Sequence, residues 1–501
     1  MILIYIFQSD VRFGFRLRNS RLPLFYLLMP VIGILDYLIL SGARSSSYSI
    51  VVVTGIAFWL LCILASHQVK LSVERHDLQV IHKTVTVFYI INAIISLGTL
   101  ITIIAKTGAI NPYLYQGDYQ LYFIGTGDYI RGVSFDTSTT NAVLNAFGVI
   151  YFLSRREALM SILCMAIVLL TGSNTTNLIL CAALITVFIF QSNRDQKSLI
   201  VICLFLLVIF MGKISPQNNQ YLANTLRSVL SEGSGQANVS KFDIHNRGQD
   251  IPSSEEQKEM VAIQYLDSES AIKTKELSFT RNRMDTIDRK HVIPVDNING
   301  PAFQHKSAQT TVEQNMSQFI NAHSGHMPIS SDAAFHPRLP GKLIAWHQSY
   351  AYLSNHPIAA LVGTGIGNFS SKLAFKTSGL KIAGSWPLKY RYINQAFLQN
   401  HLDVYLYYFS KTDGYHSTIN SPASVYDQVI TEYGLVGFAV FLIFYAGYFL
   451  RKIKYLSFGI PLMMIVSGIF FFDYWFEQFS AVVFFELLMY LNLKERNGNN
   501  A

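Results

Sequence analysis

The chain has 501 residues, 51% hydrophobic and only 14% charged, with a mean hydropathy of +0.30. A soluble protein carries about 25% charged residues, and here the apolar residues gather into long runs, of which about 20 residues cross a hydrocarbon core roughly 30 Å thick. This excludes an ordinary soluble enzyme; the net charge of +8 comes without a basic stripe on a soluble segment, which excludes a nucleic-acid binder.

In chain order the apolar runs predict an all-α, polytopic integral membrane protein of about ten spans: 22–40, 48–66, 83–105, 139–153, 158–173, 175–191, 198–213, 427–450, 455–473 and 475–491. Arg12, Arg16, Arg18 and Arg21 precede the first span and no small-residue cleavage site follows it, so no cleavable signal peptide is expected. The chain divides into a membrane domain at 1–213, a large loop at 214–426 and a closing membrane segment at 427–501. Lys and Arg cluster in the N-terminal arm and at 67–83, 154–157, 193–197, 451–454 and 494–496. With ten spans these segments share one side, the cytoplasmic one by the positive-inside rule, and both termini fall there. The large loop then lies outside.

Within that loop, 231–335 is rich in Ser, Asn, Gln, Lys and Glu, and is expected to be largely mobile. Aromatics return over 338–426, in "IAWHQSYAYL", "WPLKYRYINQAFL" and "HLDVYLYYF", which read as helices packed on the membrane face. Cys62, Cys164, Cys181 and Cys203 all lie in apolar spans, so no disulfide framework or zinc spacing is available and buried thiols are expected.

"LVGTGIGNFSSK" (361–372) is one residue away from a dinucleotide-binding fingerprint. It follows no buried strand of a βαβ unit and falls on the outer side, where nucleotides are not available, so a nucleotide loop is not expected. The alternative is a turn whose glycines permit positive φ or close helix approach.

A third reading comes from its neighbours. "GKLIAWHQSYAYLSNHPIAALVGTGIGNF" (341–369) resembles a pattern of the bacterial O-antigen ligase and polymerase family: a basic residue four before an aromatic, a helix ending in His-Pro, then Gly-x-Gly-x-Gly-Asn-Phe. "IRGVSFDTSTTNAVLNAFGVIYFL" (130–153) resembles the family segment that leads from an arginine to a Pro-Asn at a span mouth; Thr140 replaces the proline and Asn141 keeps the asparagine. "NSPASVYDQVITEYGLVGFAVFLIFY" (420–445) resembles its closing Glu-x-Gly motif. The resemblance implies a helical membrane glycosyltransferase. It would take an oligosaccharide from a polyprenyl-diphosphate carrier at the outer face and pass it to a glycan (polymerase) or to lipid A-core (ligase), with no cofactor, nucleotide or metal and with polysaccharide-assembly proteins as possible partners.

Such chemistry needs cations for the leaving diphosphate and a base for the attacking hydroxyl. Arg131 matches the family arginine and is the first candidate for the diphosphate, an interfacial anchor being the alternative. Lys342, four before Trp346, stands where the family has arginine; Arg338 and Arg391 are further candidate cations. The family histidine position is occupied by Ala423, and His416, seven residues upstream, is the candidate base, with His356 and His401 behind it. Asn141, Gly363, Gly365, Gly367 and Asn368 are expected at the substrate, and Glu432 and Gly434 are read as structural. Asn174 stands where relatives carry a further arginine, and Asp473 and Glu477 are read as residues of a solvated turn or as sugar contacts. Two other function classes remain: a lipid or glycan transporter, for which Asp36 is the clearest intramembrane carboxylate, and a non-enzymatic scaffold.

Overall fold

The computed structural model describes residues 11–15, 21–39, 46–114, 129–134, 136–215, 311–322, 339–380, 386–409, 417–451, 453 and 456–498. The protein is mostly helical. α1 (Phe25–Ile39), α2 (Ser46–Arg75), α3 (Leu78–Thr107), α4 (Ser138–Ser154), α5 (Ala158–Leu170), α6 (Asn174–Phe190) and α7 (Arg194–Ile209) account for the first seven apolar runs. α7 continues through a π-turn to Ile214. The last three runs fall on α14 (Val425–Val440, continuing to Leu450), α15 (Gly459–Ile469) and α16 (Ser480–Gly498). Four of these helices are long and apolar enough to cross a membrane: Ser46–Arg75, Leu78–Thr107, Arg194–Ile214 and Val425–Leu450. Phe25–Ile39, Ala158–Leu170, Asn174–Phe190 and Gly459–Ile469 are apolar but shorter.

Between the two groups lie α8 (Thr311–Ala322), α9 (Gly341–Asn355), α10 (Pro357–Val362), α11 (Lys372–Thr377), α12 (Gln395–Gln399) and α13 (His401–Phe409). α8 falls inside the stretch expected to be mobile. Met316 and Phe319 are buried with Phe375, Phe397, Leu402 and Tyr474, and Ile320 packs against them, so an i, i+3, i+4 stripe seats this helix. The "WPLKYRYINQAFL" stretch contains only a 3₁₀ turn (Leu388–Tyr390) and the short α12, where one longer helix was expected. A two-stranded parallel ladder, β1 (Arg12–Gly14) with β2 (Arg21–Pro23), departs from the all-α expectation.

Helix ends follow their sequences. Thr137 caps α4 by accepting from the Thr140 amide, Asn193 and Gln196 form a reciprocal capping box on α7, and α3 stops at Gly108 with φ +66°. α1, α2 and α14 share an aromatic core of Phe25, Trp59, Phe441 and Tyr445 with Phe476, and the Trp59 indole donates to the Tyr433 hydroxyl at 2.8 Å. α4, nearly all buried, packs on α5, and α15 on α6, with α16 between the two groups of helices.

The two ends of this bundle differ. At one end the basic segments touch each other: Arg155 pairs with Glu495, His82 with Glu157 at 2.9 Å, and Gln196 donates to the Leu153 carbonyl at 3.1 Å. The Lys494 ammonium closes the C-terminus of α2 by donating to the carbonyls of Val73 (2.7 Å) and His76 (2.5 Å). At the other end lie α9 to α13 and the turn between α15 and α16. α15 links the ends over about 16 Å, by its 11 residues and the helical rise.

One side chain docks the glycine stretch on this frame. Ile366 inserts between α1 and α2, where a Cβ on Gly33 would lie 2.3 Å from its Cδ1 and one on Gly55 2.4 Å from its Cγ2. Gly55→Ala should therefore destabilise the protein by about 1–3 kcal/mol through overpacking. In an Ile366→Ala background the same substitution should cost little, since the colliding branch is gone. Denaturation of the purified single and double variants in detergent measures this; equal costs in both backgrounds would refute the docking.

Candidate functional site

The glycine stretch is an internal anion-type nest whose occupant is the protein's own side chain. The Glu432 carboxyl group accepts from the amides of Gly367 (2.9 Å), Phe369 (3.2 Å) and Ser370 (2.9 Å). Successive amides converge this way because Gly363, Gly365 and Gly367 all take positive φ (+99°, +91° and +72°), a region closed to most side chains. α14 cooperates by breaking at Gly434, whose φ of +66° and ψ of −174° are non-helical. The carbonyls just before that break accept from the loop, Thr431 from the Thr364 amide (2.9 Å) and Glu432 from the Gly365 amide (3.1 Å). Contact is backbone on backbone: a Cβ on Gly434 would lie 2.3 Å from the Leu361 carbonyl oxygen.

Residues 363–371 are buried, and this corrects the expectation that Gly363, Gly365, Gly367 and Asn368 face substrate. Asn368 has its polar atoms engaged by protein: it donates to the Tyr48 hydroxyl (2.8 Å) and the Thr364 carbonyl (2.7 Å) and accepts from the Tyr392 hydroxyl (2.8 Å). Glu432 and Gly434, read as structural, occupy the centre of this joint.

Lys342 belongs to a second cluster beside it. Its ammonium donates to the carbonyls of Ala423 and, at 3.3 Å, Phe472, and its side chain is fully buried. It is not the surface cation expected from its motif position; it ties the start of α9 to the segments that precede α14 and follow α15. The backbone repeats the link, with the Lys342 amide on the Ile419 carbonyl (2.9 Å) and the Gly341 amide on the Asn420 side chain (3.1 Å). The Ala423 carbonyl, where the resemblance led to the expectation of a histidine, carries this lysine contact. Burial pushes the Lys342 ammonium down to about 7, opposed by the nearby Asp473 and Asp427 carboxyl groups.

Asp427, in the first turn of α14, pairs with Nε2 of His401 at the start of α13, and both side chains are buried. His401 Nδ1 and Asp427 Oδ1 are buried without a hydrogen-bond partner among the described residues. The Phe369 ring lies edge-on to the imidazole at 5.0 Å, so the glycine loop forms one wall of this pair. Asp473 and Glu477 are half-buried turn residues held by protein donors. Asp473 accepts from the Gln478 side chain at 2.7 Å, and Glu477 accepts from the Leu373 amide at 3.2 Å. Trp346 stacks on Phe471 at 5.6 Å, closing α9 onto the same turn.

Arg131 is exposed at the mouth of α4, and its backbone is held from below by a network of amides. Asn92 donates to Asn141 (2.9 Å) and accepts from the Val133 amide (2.9 Å). Asn141 donates to Ser96 (2.9 Å), which donates to the Arg131 carbonyl (3.1 Å). Gly132 is required there, since its Cβ would fall 2.1 Å from Asn92 Oδ1. Asn141, expected at the substrate, is thus fully buried and supports Arg131 instead. Arg391 is exposed, with its aliphatic stem against Gly379. His356 is exposed between α9 and α10, its ring stacked on Tyr352. His416 and Arg338 lie outside the described residues.

Two further carboxyl groups are buried among the helices. Asp36 of α1 is 2% exposed, with Oδ2 unpartnered among the described residues. Glu486 of α16 accepts from the hydroxyls of Tyr26 (2.5 Å) and Ser66. Sequence reasoning passed over Glu486 and Asp427. The first is a single acid in an apolar run. The second carried one signal, its place three residues after Ser424, the N-cap of α14.

No protein-family model, curated protein or solved structure matches the chain.

The sign of the Lys342 effect follows from its depressed value. Between about 7 and the ordinary 10.5 the unfolded chain binds the proton and the folded one does not, so stability from this residue rises with pH across that window. Relative to Lys342→Met, the wild type should gain thermal stability from about pH 7 to about pH 10. Unfolding midpoints of both proteins in detergent test this; a constant difference would show that the ammonium is not desolvated.

Proposed function

We propose that the chain is a membrane glycosyltransferase that elongates a surface polysaccharide from polyprenyl-diphosphate-linked oligosaccharide. It sits in the bacterial inner membrane with about ten spans, both termini cytoplasmic and the large loop periplasmic. The contacts among the basic segments at one bundle end support that topology, because residues assigned to one side of a membrane meet each other.

The observation that carries the functional reading is the joint between two segments that resemble the O-antigen ligase and polymerase family separately. Residues 341–369 and 420–445 are bonded to each other through Lys342 and Ala423, through Gly341 and Asn420, and through the glycine loop and Glu432. At that joint sit a cation, a histidine and a carboxyl group, the groups that transfer from a diphosphate requires.

In this reading Arg131 binds the diphosphate at the span mouth. The acceptor hydroxyl attacks the anomeric carbon, and the carbon–oxygen bond to the diphosphate breaks with its electron pair leaving on the diphosphate. The hydroxyl proton passes to Nδ1 of His401, while Asp427 on Nε2 orients the ring and stabilises the imidazolium. His401 is sealed in the resting structure, so the reading requires substrate entry to uncover it. His416 is the competing base. The acceptor is a second lipid-linked glycan; lipid A-core as acceptor defines the ligase alternative.

The test is complementation of a deletion strain with Arg131→Ala and with His401→Gln, reading the surface glycan ladder and the lipid-linked intermediates at matched protein levels. Loss of a general base costs about 10²–10⁴ in rate, so the ladder should collapse to a single repeat in both. Long chains accumulating on the carrier would make the protein a ligase. An intact ladder in both variants would overturn the assignment.

A further inference from the structure

A cavity of about 720 Å³ opens at the opposite end of the bundle, where α3 and α7 begin, α4 and α6 finish, and α15 starts. It is separated from Lys342 by the length of α15. The size suits a small-molecule or lipid-headgroup site. Its lining is divided in character. Ile150, Val187 and Pro461 form an apolar wall, while Lys83 and Arg155 supply cations at the basic rim.

Arg155 is held in place rather than waving from the surface. Its guanidinium pairs with Glu495 through Nη2 and lies 5.0 Å over the Tyr151 ring. Its Nε is buried with no hydrogen-bond partner among the described residues. Lys83 is exposed. Among the lining residues, Lys83 and Arg155 against Glu495 leave one positive charge, and His82 is paired to Glu157. One net positive charge beside an apolar wall matches a phosphodiester monoanion carried on a hydrocarbon chain.

We propose that this cavity binds a phospholipid of the inner leaflet, its phosphate on Lys83 and Arg155 and its first methylenes along Ile150, Val187 and Pro461. The inference rests on the membrane reading but not on the glycan chemistry. The shared chemistry is a phosphate group, available from a lipid or from a soluble ester, and an apolar wall is wasted on the latter. An occupant here would bridge helices from both halves of the bundle and should stabilise the fold by mass action.

The experiment is thermal unfolding of the full chain in detergent, titrated separately with short-chain phosphatidylglycerol, short-chain phosphatidylcholine, glycerol phosphate and inorganic phosphate. Phosphatidylglycerol should raise the midpoint saturably. Lys83→Glu should weaken half-saturation by about tenfold or more, as loss of a charged hydrogen bond implies, and Lys83→Arg should restore it. Because Lys83 is exposed, these variants test binding without threatening the fold. Equal shifts from glycerol phosphate or inorganic phosphate would overturn the lipid, and an unsaturable shift, or one untouched in Lys83→Glu, would overturn the site. None of these outcomes bears on the glycan ladder, so the two proposals fail separately.

Discussion

The grip of three loop amides on the Glu432 carboxyl group is the constraint on which this end of the bundle depends. A buried carboxyl group with no partner is costly, and each unmade bond to it forfeits about 1–3 kcal/mol. The chain meets that demand with the glycine stretch. Positive φ at Gly363, Gly365 and Gly367 turns the amides inward, and the break at Gly434 lets the two backbones touch. Everything near it inherits its position from this joint. Ile366 is driven between α1 and α2, Asn368 reaches Tyr48 and Tyr392, and Phe369 is laid against His401. A loop with the look of a phosphate cradle thus uses the same physics on an internal ligand.

The charges outside the joint differ in exposure. Arg131 is exposed but rests on the buried amides of Asn92 and Asn141. Lys342 and the His401–Asp427 pair lie one layer in, closed from solvent. Glu486 and Asp36 are likewise buried. Burial of so many ionisable groups is expensive and tolerated only where partners or function require it. The opposite end gathers its basic segments into exposed and half-buried pairs. The two ends therefore present different chemistry across the length of the helices.

Much of the fold was legible. Each apolar run falls on a helix because an unbroken run satisfies its backbone only by helical bonding when water is excluded. Thr137 and Asn193, short polar side chains ahead of those runs, prove to be caps. One of the readings open for the glycine stretch, a turn needing positive φ, matches Gly363, Gly365 and Gly367, although the same glycines were also expected at the substrate. What escaped were long-range pairings. Nothing local in "GTGIGNFSS" names Glu432 as its partner, some 65 residues on. Likewise Lys342 reads as a loop cation until its ammonium is seen on two carbonyls, and Asn141 as a span-mouth contact until its network is traced. α8 was missed because its few apolar residues, Met316, Phe319 and Ile320, sit among many polar ones, and only their helical spacing reveals a face.

The measurement that tests this account most directly is amide hydrogen exchange across 364–373 in the purified protein, compared with Glu432→Ala. The joint predicts strong protection of Gly367, Phe369 and Ser370 in the wild type, and its selective loss in the variant while α4 stays protected. Fast exchange of these amides in the wild type, or protection that survives removal of the carboxyl group, would contradict the account.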